Sequence, residues 1–193
     1  MSGNGGSHDV AHLQRVWKKA ATIQAVEGGD LDILAAATML HDCVSVEKNS
    51  PLRAEASRLA AEKASDILKA IGWNEVHIAA TAHAILTHSF SAGIKPVTLE
   101  AKILQDADRL DAIGMVGAAR CFYIAGRMGS GLYDATDPRA QHREYDDRRF
   151  AIDHFETKLF KLVDGFNTGE GRRLAEVRQA RLRRFLNEFL DEI

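Results

Sequence analysis

Cysteine is nearly missing from this 193-residue chain. Cys43 and Cys121 stand alone with no C-x-x-C spacing, too few for a disulfide framework that a chain of this size does not need. Proline is as sparse: Pro51, Pro96 and Pro138 each fall where a helical pattern has already stopped. No apolar run approaches the roughly 20 residues that span a bilayer, so no membrane partner is expected. The opening Met-Ser-Gly-Asn-Gly-Gly-Ser has neither a basic region nor an apolar stretch. It therefore shows no secretory signal, and a reducing cytoplasm is the expected location. A net charge of −2 supplies no long-range field for capturing nucleic acid. Local basic clusters remain able to hold small anions.

What is present reads as an ordinary globule, with 46% apolar and 27% charged residues. The length suits one full core and is too short for two independent domains. Alternating β-branched runs are nearly absent, while apolar residues recur at spacings of three and four. The pattern predicts an all-α, single-domain helical bundle with breaks at Gly28-Gly29, 44–51, 72–74, 89–97, 126–138 and 165–170. Residues 1–7 are expected to be disordered, a helix begins near His8, and one domain covers 8–193. Asp30, after two glycines, and Thr98 are placed to cap the helices that follow them. Leu34, Ala37, Thr38 and His41 fall at i, i+3, i+4 and i+7, which puts His41 on a buried stripe near a helix end. From about 169, Leu174, Val177, Leu182, Phe185, Phe189 and Leu190 share one side, and Arg172, Arg173, Arg178, Arg181 and Arg184 lie largely elsewhere. Those arginines read as a solvated helix face and not as an RNA surface, because no aromatic stacking pattern accompanies them.

Chemistry concentrates in three separated stretches: H-D-x-x-H-x-x-R-V at 8–16, L-H-D at 40–42, and Asp-Ala-Asp-Arg-Leu-Asp at 106–111. A mixed set of imidazoles and carboxylates suits a divalent transition metal and leaves positions for water and a phosphate. A carboxylate such as Asp42 beside apolar Met39-Leu40 costs several kcal/mol to bury unless a cation compensates it. Asp106, Asp108 and Asp111 compete as the last ligand, since residues i and i+2 of a straight helix diverge by about 200°.

In motif order the chain resembles the HD-domain family of metal-dependent phosphohydrolases, all-helical proteins named for the central His-Asp dipeptide. Members usually place a further helix before the first motif, where this chain has only a few residues. The resemblance selects His12, His41, Asp42 and Asp108 as metal ligands. His8, Asp106 and Asp111 are left as exposed groups or as supports for a ligand. It implies a divalent metal, with Mn, Fe, Co, Ni or Zn favoured over Mg because two imidazoles suit Mg poorly.

The resemblance also implies that the loop after the His-Asp pair covers the metal. Lys48 and Arg53 could then neutralise phosphate oxygens, with Asn49 and Ser45 adding neutral hydrogen bonds. Arg109 is placed to bind either substrate or a carboxylate. His83 and His88 lie about 140° apart on a regular helix, so they converge only if the helix ends or bends near Thr87. One of them could contact phosphate or protonate a leaving oxygen. Gly126, Gly129 and Gly131 form no dinucleotide-binding fingerprint and read as a loop near the pocket rim. Asp146-Asp147-Arg148-Arg149 with Asp153-His154 reads as structural ion pairing.

The function implied is hydrolysis of a phosphoester or phosphoanhydride in a small phosphorylated substrate, a nucleotide above all. Cleavage of nucleoside triphosphates to monophosphate and pyrophosphate is the specific expectation. Hydroxide generated at the metal would attack phosphorus, with Asp42 or Asp108 orienting or deprotonating the water. The competing class is a nucleotide-binding regulator that kept the fold and lost turnover. Oligomeric state is left open.

Overall fold

A computed structural model describes residues 10–44, 46 and 55–193, apart from the Ser91 side chain. Its regular elements are all helical: α1 (Val10–Glu27), α2 (Leu31–Leu40), α3 (Ala56–Ala70), α4 (Glu75–Thr87), α5 (Leu99–Asp111), α6 (Gly114–Met128), α7 (Asp153–Thr157) and α8 (Gly169–Asp191). Short 3-10 turns occupy Phe90–Ala92 and Leu159–Val163. No strand occurs among the described residues; a single isolated bridge joins Gly131 and Phe150. The chain divides into two compact units, residues 1–109 with 167–171, and residues 110–166 with 172–193.

The first unit is built from α1 to α4 and nearly all of α5. Helix α1 buries His12, Val16, Lys19, Ala20 and Ile23, a stripe at spacings of three and four. Helix α2 starts where Asp30 accepts hydrogen bonds from the amides of Asp32 and Ile33. It then buries Ile33, Leu34, Ala37 and Thr38 before ending one residue short of His41. Helix α3 turns a row of small residues inward, Ser57, Ala60, Ala61 and Ala64, and packs against α4. Small side chains let two helix axes approach closely, which is how short helices bury a continuous seam. Helix α4 is capped by Asn74, which accepts from the His77 amide, and it also packs against α2. Helix α5 is the most buried of all, with Ala101, Ile103, Leu104, Ala107 and Leu110 fully covered. The Thr98 hydroxyl accepts from the Ala101 amide at 3.2 Å, as its position before the helix predicts.

In the second unit Ala118, Cys121, Ile152, Phe155, Leu159, Phe160, Leu182 and Leu186 form a core, with Phe122, Phe185 and Phe189 packed against it. Asp153 accepts two hydrogen bonds from Arg143, and His154 pairs with Asp147 at 2.8 Å. The second dipeptide of this type is therefore structural, as its surroundings in the sequence suggested. Two details differ from the periodicity. Helix α6 continues through Gly126 to Met128 and stops at Gly129, whose φ of 74° closes the helix in the left-handed region. On α8, Ala175, Leu182 and Leu186 lead the buried face. Val177 stands exposed, and Arg178 instead lies half-buried, donating to the Leu110 carbonyl at 2.6 Å. The arginine's long stem covers apolar surface while its head finds an acceptor, which spacing alone does not reveal.

No described helix is long and apolar enough to cross a membrane.

Candidate metal centre

Two helix ends and one helix interior of the first unit bring four groups together. His12 comes from the second position after the observed start of α1, His41 and Asp42 from the residues that follow α2, and Asp108 from α5. Both His12 and His41 are almost wholly buried, at 1% exposure each. The Nε2 atoms of the two imidazoles lie 3.4 Å apart. His41 Nε2 is 3.4 Å from Asp42 Oδ2, and His12 Nε2 is 3.4 Å from Asp108 Oδ1 and 3.7 Å from Asp42 Oδ2. His12, His41 and Asp42 offer one ligand atom each within 4.8 Å of one another, and Asp108 approaches this group through His12.

These separations can be compared with those of a metal's ligand shell. Bonds of about 2.1 Å in a tetrahedral or octahedral shell put neighbouring ligand atoms roughly 3.0–3.4 Å apart. The observed edges sit at or just above that range. The tautomers point the same way. His41 Nδ1 lies 2.7 Å from the Thr38 carbonyl, which has no proton to give. Nδ1 must therefore be the donor, and the neutral ring turns an Nε2 lone pair toward the other imidazole and the carboxylates. Lone pairs and carboxylate oxygens gathered at one point repel one another unless a proton or a cation stands between them. Burial opposes a charged His41, yet its hydrogen bond to Asp42 and the charges of Asp108 and Asp42 outweigh burial, so its pKa is raised. The demand for positive charge that raises it is the demand a divalent cation meets. The donor set fits such an ion.

His88 joins from another direction. Helix α4 ends at Thr87, and His88 caps it in helical backbone before the chain turns away at Ser89. Its Nδ1 is fixed 2.6 Å from the Ile85 carbonyl, its ring centroid is 4.9 Å from that of His41, and its Nε2 is 3.9 Å from Asp42 Oδ1. Burial and then the neighbouring His41 charge hold its pKa below the ordinary value, against the pull of Asp108 and Asp42. His83 is engaged elsewhere: its Nε2 accepts from the Val97 amide at 3.1 Å. The two histidines of this stretch thus do not converge. Arg109 lies buried with its guanidinium carbon 3.7 Å above the centre of the Phe90 ring. Lys48, Asn49 and Arg53, along with Ser45 and His8, fall outside the described residues.

A clamp that the motifs did not announce supports the centre. Asp106 is fully buried and accepts hydrogen bonds from the Asn167 amide and side chain and from the Thr168 amide and hydroxyl, at 2.7–3.2 Å. Solvent exposure, and a role in steering an imidazole or pairing with Arg109, give way to this anchoring. The neighbouring Gln105 donates to the Thr87 carbonyl at 2.7 Å and accepts from the Asn167 amide side chain at 2.9 Å. Gln105 thereby ties the end of α4 that carries His88 to α5, three positions before Asp108. Asp111 takes an ion pair with Arg120 at 3.2 Å. The sequence offered one signal for the clamp: an amide and a hydroxyl, Asn167-Thr168, immediately before the Gly-rich start of α8.

Comparison with known proteins gives the arrangement its family. The family model described as "HD domain" matches residues 10–113, a span that holds all four groups. The chain belongs to the HD-domain phosphohydrolase family. YpgQ of Bacillus subtilis (strain 168) is 34% identical over 197 residues, covering 100% of this chain and 88% of that protein. A crystal structure of Bacillus subtilis YpgQ in complex with ADP superposes with a TM-score of 0.75 at 34% identity, over 96% of this chain and 87% of that one. The crystal structure of an HD-superfamily hydrolase from Bacillus thuringiensis superposes with a TM-score of 0.76 at 33% identity, over 96% and 86% of the two chains. HD domains bind divalent metals, and His12, His41 and Asp42 are grouped to hold one in this chain.

Proposed function

We propose that this HD-domain protein is a divalent-metal-dependent nucleotide phosphohydrolase, and that it cleaves nucleoside triphosphates to monophosphate and pyrophosphate. The observation that carries the reading is the grouping of His12, His41 and Asp42 at ligand-sized separations, with Asp108 3.4 Å from His12. The ADP complex of YpgQ supports a nucleotide over other phosphate esters. His12, His41, Asp42 and Asp108 would hold the ion, with Mn, Fe, Co, Ni or Zn preferred over Mg on the chemistry of two imidazoles. A bound divalent cation supplies a water of lowered pKa and polarises a phosphoryl oxygen.

The protein's own groups do the rest. Asp42 and Asp108, each partly open to solvent, orient the attacking water and receive its proton. His88, whose Nδ1 donates to the Ile85 carbonyl, presents an Nε2 lone pair beside Asp42 and accepts a hydrogen bond from the attacking water. Lys48, Asn49 and Arg53 complete the phosphate- and substrate-holding set in this reading, with Arg109 held against Phe90.

The test is a panel of phosphorylated compounds supplied with Mn, Co, Ni or Mg, comparing the native chain with Asp108→Ala. Pyrophosphate release from nucleoside triphosphates, falling at least about 100-fold in the variant, is expected, because losing even a group that merely supports a ligand costs 10–100-fold. Tight nucleotide binding with no release of phosphate or pyrophosphate under any metal would instead identify a regulator that has lost turnover.

A further inference from the structure

We infer that Phe90 is the platform on which the nucleobase of the substrate stacks, with Arg109 as the residue that positions it. The inference rests on the nucleotide reading above and names the part of the substrate that reading leaves without a contact.

Phe90 opens the 3-10 turn that follows α4, two residues beyond His88. Two residues span at most about 7 Å of backbone, so the ring is tethered close to the imidazole that faces Asp42. Half of Phe90 is exposed, at 50%. Exposure of one phenyl ring is ordinary by itself; its place beside the site and its contact with a buried cation are what single it out. One of its faces is covered: the buried Arg109 guanidinium lies 3.7 Å over the ring centroid. The exposure therefore belongs to the opposite face and the edge. Arg109 is also the neighbour of Asp108 on α5, so a single helix turn sets both a proposed metal ligand and the cation that steadies the ring.

That combination fits a nucleotide in a specific orientation. A triphosphate drawn to the metal side leaves its base several ångströms away, and a flat aromatic face held by a cation from behind is the surface such a base stacks on. Every base has a π-face, so Phe90 confers affinity for nucleotides as a class without selecting among bases.

The experiment compares steady-state kinetics of Phe90→Ala, Phe90→Leu and Phe90→Tyr with those of the native protein. Nucleoside triphosphate is the substrate, and inorganic tripolyphosphate is a competitor that has no base. The expected result is a KM for the nucleotide raised roughly 5- to 100-fold in Phe90→Ala and Phe90→Leu, with the loss on KM and not on kcat. Phe90→Tyr should restore native KM. The inhibition constant of tripolyphosphate should be the same in all four proteins. Equal weakening of nucleotide and tripolyphosphate overturns the inference, since Phe90 would then serve the phosphate side. An unchanged nucleotide KM in Phe90→Ala overturns it as well, whether or not the variant alters self-association. Native protein that turns over nucleotides while Phe90→Ala keeps its KM sinks this inference alone; native protein that turns over none under any metal sinks the parent reading.

Discussion

At the scale of single residues, burial and charge set how each group behaves. The thiol of Cys121 lies in the second unit's core and donates to the Ala151 carbonyl at 3.3 Å. Burial, with the nearby Asp147 charge, pushes its pKa up to about 11. The thiolate is the reactive form, and at pH 8 it should make up about one part in a thousand. Iodoacetamide should therefore leave Cys121 unlabelled in the native protein at pH 8, by mass spectrometry, and label it in the unfolded chain. Because the folded pKa is raised above the thiol's ordinary value of 9.0, this group's contribution to stability is whole below pH 9 and fades as pH climbs from 9 toward 11. Rapid labelling at pH 8 would show a thiol far more open than its packing implies.

The four groups of the candidate metal centre were legible at this scale, because their identities are written in short local motifs. Asp108 could be chosen over Asp106 and Asp111 only by resemblance; its Oδ1 lies 3.4 Å from His12 Nε2. Phe90 was not legible: its partner Arg109 is nineteen residues away in sequence, and a half-exposed phenylalanine has no spacing signature.

Elements were readable wherever apolar period and caps agreed. The stripe that buries His41, the caps at Asp30 and Thr98, and the start of α8 near 169 all follow from local sequence. What escaped was the pairing of elements. Asp106 meets Asn167 and Thr168 across some sixty residues, and no local preference announces such a contact. Val177 was misplaced because a period of 3.6 cannot tell a fully buried stripe from its edge.

The Asp106 clamp carries a prediction of its own. In Asp106→Ala, the buried amide and hydroxyl donors of Thr168 lose their acceptor, which costs about 1–3 kcal/mol per stranded group, while the exposed Asn167 can turn to water. A net loss of about 3 kcal/mol should lower Tm by roughly 6–12 °C in a chain of this size. Gly171 reports on the same clamp: a Cβ there would sit 2.5 Å from Asp106 Oδ2 and 2.6 Å from the Thr168 hydroxyl. Gly171→Ala should consequently destabilise by about 1–3 kcal/mol, through overpacking. Native-like melting of both variants would show that the carboxylate does not organise this region.

For the whole molecule, fold and metal site are linked through mass action. A ligand that binds only the folded state adds about 2.7 kcal/mol at a concentration one hundred times its Kd. Saturating Mn should raise the native Tm by roughly 5–11 °C. Asp108→Ala should show little of this rise, whereas a variant remote from the site, such as Val177→Ala on α8, should keep it. An equal rise in native and Asp108→Ala protein would place the stabilising ion elsewhere. The family and its helical architecture were thus accessible from motif order, since order along the chain survives when spacing drifts. The division into two compact units was not, because each unit draws its last piece from a distant stretch: Asn167–Gly171 for the first and Arg172–Ile193 for the second.

Anomalous diffraction from crystals soaked in Mn tests the account most directly. A peak is predicted about 2.0–2.4 Å from His12 Nε2, from His41 Nε2 and from one carboxylate oxygen each of Asp42 and Asp108. An empty map at that point with saturating Mn, or a peak bound by other side chains, would contradict it.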